Sequence, residues 1–383
     1  MITRADAEKL DRHDPLAPAR ERFHIPNETL VYLDGNSLGM PPRRTLDRLT
    51  DLFERGWATD LIRSWDHWAE LPQVVGDLLA PLIGAREGEV VVHDSTTVNL
   101  YQLVHAAMAL RPHRRVLAID PHDFPTDRYV VDGIARAHGT LVRHDLDDLT
   151  DVGVVVRSAV DYRTGALTDL VDETRRIHGA GALVVWDLSH AAGALQIDLA
   201  GAGAQFAVGC TYKYLNGGPG APAFSYVAKD LHRHLDGPLR GWFGAAERFA
   251  MAPDYEPALD IGRLLLGTPG ILGLVAARSG IELTAEFGMF VIERKGRELT
   301  ALAIDLCDQY GLRTPTPRES YRRGHHISII HPDARQIVRT LSSRDVVLDH
   351  REPDLVRVGC SALTTRFVDV FDGITAIAEL AKG

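Results

Sequence analysis

Four short runs, Val90–Val92, Val116–Ile119, Val152–Val156 and Leu183–Trp186, are apolar at every position. A strand with one wet face alternates apolar and polar residues, so an unbroken apolar run predicts a strand covered on both faces. Between these runs, Asn99–Leu110 and Asp169–Gly179 carry apolar residues at helical spacing. Strand and helix in this alternation predict a mostly parallel sheet with crossover helices, an α/β architecture. Phe206–Cys210 and Ala223–Val227 flank a turn-rich segment and are expected to join the same sheet. Glycine and proline are frequent from about Gly237 to Gly270, and a single helix-like run then covers Ile271–Asp308. Beyond it Ile327–Ile330, Val346–Leu348 and Leu355–Val358 read as strands, and Ala334–Ser342 and Val368–Leu380 as helices. The expected organisation is a large domain over residues 45–260 and a smaller α+β domain made by residues 1–44 with 261–383. The charge-dense stretch Arg143–Asp151 reads as a solvated loop.

Composition narrows the function classes. The 383 residues are 45% hydrophobic and 25% charged, an ordinary globular balance. The net charge of −10 argues against nucleic acid and anionic membrane as partners. The three cysteines, Cys210, Cys307 and Cys360, are too few and too scattered for a disulfide framework. No Cys/His spacing predicts a metal site. Met1–Leu10 lacks the apolar core of a leader peptide and no apolar run reaches transmembrane length, so a cytoplasmic protein is expected.

Candidate chemistry gathers where the predicted strands end. Asp187 closes the run Leu183–Trp186, at the strand end where open α/β sheets place their ligands. Read alone, it could equally cap the following helix. Lys213 follows it by 26 residues, between an apolar strand and a turn rich in glycine, asparagine and proline. A desolvated lysine is a competent amine nucleophile. A strand-end carboxylate with such a lysine is the arrangement expected of a pyridoxal phosphate site: the carboxylate keeps the ring nitrogen protonated and the lysine holds the aldehyde. Ser95, Thr96 and Thr97 lie between a strand and a helix, where free amides and hydroxyls suit a phosphate. No Walker-type lysine loop is present. Phe124, just past Val116–Ile119, is a candidate face for a cofactor ring.

With these residues in place the chain resembles the kynureninase family of fold-type-I pyridoxal phosphate enzymes. The resemblance is carried by Tyr32–Gly39, Leu61–Trp65, Thr97–Leu100, Phe124–Asp127, Cys210–Gly220, Arg240–Gly244, Gly267–Pro269 and Arg351–Asp354, nearly the whole length. It implies that Lys213 carries the cofactor, that Asp187 partners the ring nitrogen, and that Phe124 stacks on the ring. Thr96, Thr97 and Tyr212 are implied at the cofactor and its phosphate, with Asp127, Ser158 and His190 around them. Trp242 and Thr268 are implied to reach the phosphate of a neighbouring subunit, making the active unit a homodimer. Arg357 is implied to pair with the substrate α-carboxylate, with Ser37 and Trp57 lining the substrate side. The implied reaction hydrolyses L-kynurenine to anthranilate and L-alanine, with Tyr212 as candidate proton donor. Trp57, Gly267 and Thr268 are similar to the bacterial pattern, which favours kynurenine over 3-hydroxykynurenine, although one hydroxyl is weakly discriminated.

The chain also departs from the family. After Arg357 the usual Pro-Leu-Tyr step is replaced by Cys360-Ser361-Ala362-Leu363-Thr364-Thr365. His325-His326 reads as a solvated strand edge. Two alternatives are set against the kynureninase reading. One is another fold-type-I activity, a cysteine desulfurase or an aminotransferase; a desulfurase needs a cysteine on an exposed, mobile loop. The other is a catalytically silent pyridoxal-binding protein.

Overall fold

The computed structural model describes residues 1–382. In chain order its strands are β1 (Val31–Tyr32), β2 (Val90–His93), β3 (Val116–Ile119), β4 (Leu141–Arg143), β5 (Val152–Ser158), β6 (Leu183–Asp187), β7 (Phe206–Gly209), β8 (Ala223–Val227), β9 (His326–Ile330), β10 (Val346–Val347), β11 (Asp349–Arg351) and β12 (Leu355–Gly359). Seven of them form one sheet in the order β2-β8-β7-β6-β5-β3-β4, parallel from β7 to β4, with β8 antiparallel to both its neighbours.

The runs Val152–Val156 of β5 and Leu183–Trp186 of β6 are apolar throughout because both faces are covered. Leu183 and Val185 of β6 face the side packed by the helices Thr96–Ala109 and Pro125–His138. Val184 and Trp186 face the other side, with the helices Leu71–Leu79, Leu170–Gly179 and Ile271–Phe287. At about 25 cal/mol per Å² of buried apolar surface, this two-sided burial is the main term favouring the fold. The helix Thr96–Ala109 starts earlier than its apolar spacing suggests because the Ser95 hydroxyl caps it by accepting from the Val98 amide.

Two expectations change. The single helix over Ile271–Asp308 is two helices, Ile271–Phe287 and Met289–Tyr310, broken at Gly288, whose φ of 80° an L side chain resists. The expected boundary at residue 261 also moves. Ile261, Leu264 and Leu265 join one core layer of the large sheet, and Leu274, Ala277 and Ile281 the other. The chain thus stays with the large sheet until the break at Gly288. Gly280 lets the first of these helices lie flush on the lysine segment, since a Cβ there would be 1.9 Å from the Leu215 carbonyl.

The smaller core joins the two ends of the chain. β1 pairs in parallel with β10, and the Gly359 amide donates to the Leu33 carbonyl at 2.7 Å. β9 and β11 flank β12 in an antiparallel sheet packed by Met289–Tyr310 and Phe367–Ala381. Asp11 caps the last helix, accepting from the Phe367 and Val368 amides at 2.7 and 3.0 Å.

Candidate active site

A cavity of about 370 Å³ opens at the carboxyl ends of the parallel strands. Its lining brings together Ser37, Thr96, Thr97, Phe124, Asp127, Ser158, Asp187, His190, Tyr212, Lys213 and Arg357, residues spread over 320 positions of sequence.

Asp187 ends β6, buried to 7% exposure, and its Oδ1 accepts from the amide and hydroxyl of Ser189 at 2.9 and 2.5 Å. Asp127, in the first turn of the helix Pro125–His138, comes from a separate segment to the same wall. Burial, and then the charge of Asp187, push the Asp127 carboxyl well above the usual carboxylate range. Its Oδ2 has no hydrogen-bond partner in the protein. A buried, unsatisfied carboxyl beside a second carboxylate is costly, and a protonated ring nitrogen facing the pair would relieve it.

Lys213 is half-buried, with Nζ 3.0 Å from His190 Nε2. Burial, and then the Lys213 charge, hold His190 well below the ordinary imidazole range, so it is neutral and Nε2 accepts from the lysine. Lys213 Nζ lies 6.0 Å from the ring centres of both Phe124 and Tyr212. Phe124 stands edge-on to Tyr162, centroids 5.1 Å apart. Burial first, then Cys210, raise the Tyr212 phenol, so it keeps its proton. The N-terminal loop is fastened to this segment by the Gly39 amide, which donates to the Tyr212 carbonyl at 2.8 Å. At another corner Ser95, Thr96 and Thr97 present the hydroxyls and first-turn amides of a helix start, a cradle for phosphate. The carboxyl pair, the lysine, the aromatic wall and this cradle fit pyridoxal phosphate.

The opposite end is cationic. Arg357, on β12 and 1% exposed, donates from Nε to Asp349 Oδ1 at 2.7 Å and from its terminal nitrogens to the Tyr162 carbonyl at 2.8 Å and Ser37 Oγ at 3.1 Å. Ser37 in turn donates to Asp349 Oδ2 at 2.9 Å, and Arg351 reaches the same oxygen at 2.9 Å.

Three expected residues lie elsewhere in this chain. Trp57 lines an apolar surface groove with Leu52, Trp68 and Ile271. Trp242 packs on Phe243, centroids 4.6 Å apart, and Thr268 is exposed; neither lines the cavity. The expectation of a solvated edge at His325-His326 is overturned: both rings are fully buried, and burial pushes each down to about 3. β9 is an edge strand, but Gly296 lets the covering helix close over it; a Cβ there would meet the His325 ring at 2.0 Å. The His326 ring lies 5.2 Å from that of His190. The segment Cys360–Thr365 is a buried turn, with the Ser361 amide donating to Thr365 Oγ1 at 3.0 Å.

Sequence reasoning missed Asn36, Asp94, Tyr162, Asp349 and Arg351 as parts of the cavity and its supporting network. Asn36 and Arg351 lie in blocks that carry the family resemblance and could have been singled out there. Asp349 and Tyr162 act through contacts with Arg357 that no local pattern signals.

The site and sheet define a fold-type-I pyridoxal phosphate-dependent enzyme. Among solved structures, a cysteine desulfurase from Thermococcus onnurineus NA1 superposes with a TM-score of 0.83 at 18% identity, over 96% of this chain and 98% of that one. A C-DES mutant with glycine covalently linked to its PLP cofactor gives 0.79 at 17% identity, over 92% and 97%. These likenesses are of fold. Residues 292–377 match the family described as the kynureninase C-terminal domain. The kynureninase of Pseudomonas fluorescens is 41% identical over 99% of this chain and 96% of its own length. That of Burkholderia pseudomallei (strain K96243) is 42% identical with the same coverage. The chain belongs to the kynureninase family. No helix among the described residues is long and apolar enough to cross a membrane.

Proposed function

We propose that this protein hydrolyses L-kynurenine to anthranilate and L-alanine, a Cβ–Cγ cleavage, and accepts 3-hydroxykynurenine less well. The observation that carries this reading, beside family membership, is one cavity with a neutral His190 on Lys213 and a buried carboxyl pair at one end, and arginines at the other. Pyridoxal phosphate, when bound, supplies an electron sink for charge that develops next to the substrate amine. Lys213 would hold it, and Asp187 with Asp127 would keep a proton on its ring nitrogen. Phe124 would lie against the ring, and Thr96 and Thr97 would receive the phosphate, with Ser158 and His190 completing the enclosure.

The Lys213 amine, lining the cavity, would act as the base that removes the substrate Cα proton. His190 Nε2, at 3.0 Å, orients that amine by accepting one of its hydrogens. The arginine end binds the α-carboxylate, with Ser37 beside it, and fixes which bond at Cα faces Lys213. Water adds to the aryl ketone and Tyr212 delivers a proton to the carbon left by cleavage, a donor that stays protonated because its phenol is raised.

The desulfurase alternative lacks its nucleophile. Cys210, Cys307 and Cys360 are all buried, and burial raises each thiol, the latter two to about 12.

The active unit is a homodimer in which Trp242 and Thr268 of each subunit complete the phosphate site of the other. Support comes from a phosphate cradle that, within one chain, offers hydroxyls and amides and no cationic side chain. Trp57, on an apolar groove of about 300 Å³, reaches the substrate side across the same contact. The protein works in the cytoplasm, in tryptophan breakdown, without nucleic acid, membrane or metal. Its large unit comprises residues 45–260, extended by the packing above to Phe287.

Purified holoenzyme mixed with L-kynurenine is expected to release fluorescent anthranilate and an equal amount of alanine; an absorbing cofactor-bound enzyme without anthranilate would refute the substrate. A monomer by light scattering would refute the shared site.

A further inference from the structure

We propose that His326 is a positioning residue: its ring accepts the Nδ1–H of His190 and so fixes the nitrogen that His190 turns toward Lys213. The inference deepens the reading of Lys213 as the reacting amine and rests on it.

An ammonium has three donors and no acceptor. His190 Nε2, 3.0 Å from Lys213 Nζ, therefore offers its lone pair, and the single ring hydrogen of the neutral imidazole is left on Nδ1. Burial first, then the charge of Lys213, keeps a second proton off this ring. The Nδ1–H is buried and has no partner among the described residues. Its placement matters once the lysine is a neutral amine. With the hydrogen on Nε2 instead, His190 would donate into the lone pair that a base needs. A group that holds the hydrogen on Nδ1 keeps that lone pair free.

His326 is in place to be that group. Its ring centre is 5.2 Å from that of His190, with the planes inclined by 49°. It is 0% exposed, and neither of its nitrogens has a partner among the described residues. Buried polar atoms without partners are rare and costly. Here they stand on neighbouring rings, a hydrogen without an acceptor beside a lone pair without a donor. The bond is open in the structure, and a turn about the soft χ2 torsions brings facing nitrogens at this ring separation together. Burial, then Arg357, push His326 down to about 3, so it is neutral and has one lone pair to give. The Tyr162 carbonyl suits its other nitrogen: it acts on this ring and also accepts from Arg357 at 2.8 Å. The main chain behind the ring is fixed. His326 pairs with Gly359 in the β9–β12 ladder, and a Cβ on Gly165 would stand 2.4 Å from the His326 carbonyl.

The test has two readouts, neither of them cleavage. In wild-type apoenzyme with 15N-labelled histidine, the His190 ring, assigned by its loss in His190→Gln, is expected to carry its hydrogen on Nδ1; a hydrogen on Nε2 overturns the proposal. The second is the rate at which apoenzyme captures pyridoxal phosphate, followed by its lysine-linked absorbance as a function of pH. Capture needs the free amine, and an Nε2 held as acceptor favours the ammonium. The pH midpoint is therefore expected to fall by about one unit in His326→Leu and to return in His326→Gln, whose amide oxygen can accept from Nδ1. Asp127, Asp187, Cys210 and Tyr212 around Lys213, and Arg351, Arg357 and Asp349 around the rings, are the same in every variant. Slower capture at every pH with an unmoved midpoint would mean a structural role and overturns the proposal, as does an equal shift in both variants. The wild-type spectrum decides by itself if His326→Leu does not fold. Wild-type enzyme that captures the cofactor but releases no anthranilate refutes the kynurenine reading and leaves the His326 test standing, whereas one that captures none overturns both.

Discussion

The two ends of the cavity solve opposite electrostatic problems. At the cofactor end the protein leaves groups unsatisfied: Asp127 Oδ2 and His190 Nδ1 are buried without partners, and two carboxyl groups crowd one wall. At the carboxylate end Arg357, Asp349 and Ser37 satisfy one another by direct hydrogen bonds, and the flanking Arg351 Nε, Asp34 Oδ1 and Asn36 amide are left without partners. A site for a resident group is built with a deficit that the group fills on binding. On the proposed reading the second end takes a substrate that comes and goes and must be stable without it, so Asp349 is an internal stand-in for the substrate's charge. The first end draws mainly on strand ends of one sheet. The second joins the N-terminal loop, the loop after β5 and two small-domain strands.

The largest effect is expected where the deficit is deepest. On the proposed reading Lys213→Ala removes both the attachment of the cofactor and the base, so anthranilate release should fall by on the order of 10³-fold or more, with loss of the cofactor's lysine-linked absorbance. Retained turnover would show that the cofactor end does not depend on its lysine.

Asp349→Asn probes the self-satisfied end. It leaves Arg357, 1% exposed, without its counter-charge. Removing one partner of a buried pair costs about 3–5 kcal/mol, so the melting temperature should drop sharply while cofactor absorbance at neutral pH is kept. An unchanged melting temperature would mean that the carboxylate end is not internally neutralised, and the contrast between the two ends would collapse. Tyr212→Phe is smaller and confined to chemistry: cofactor binding is kept and kcat falls on the order of 10²-fold. Near-normal turnover would remove Tyr212 as the proton donor.

The cofactor end was legible in the sequence because local rules place it. An apolar run ending in Asp187, a lysine between strand and glycine turn, and hydroxyls before a helix each follow from what strand ends and helix starts demand. The sheet was legible for the same reason, since burial on both faces leaves an unbroken apolar signature. The carboxylate end was not. Asp349 and Arg351 lie in a strand of three residues, and their meaning depends on cross-strand pairing with Arg357 and on Ser37, 312 positions before Asp349. The burial of His325 and His326 was equally hidden, because it depends on Gly296 in a helix some thirty residues earlier. The break at Gly288 was readable in principle, as a glycine near the middle of an overlong helical run.

The smallest effect is a pH dependence that separates the two ends. Asp34 sits beneath the carboxylate end, and burial and then Asp349 raise its carboxyl from 3.8 to about 6. A raised carboxyl favours the folded state when protonated, so this contribution is fully present below about pH 4 and is lost as pH rises through 6. Asp349 has the opposite sign: Arg357 and Arg351 hold it below the ordinary carboxylate value against the opposing pull of burial, so its contribution is present above that value and lost only in stronger acid. Between pH 4 and 7 Asp34 alone of the pair titrates. Asp34→Asn should therefore be more stable than wild type at pH 8, with the gap shrinking to about a third by pH 4.5. The gap is at most about 3 kcal/mol, from a shift near two units at 1.36 kcal/mol each. Urea unfolding at the two pH values reads it. A gap that does not widen with pH would show that Asp34 is ionised at little cost in the folded protein, and that the carboxylate end holds a second full counter-charge. The asymmetry between the two ends would then shrink to one of hydrogen bonding alone.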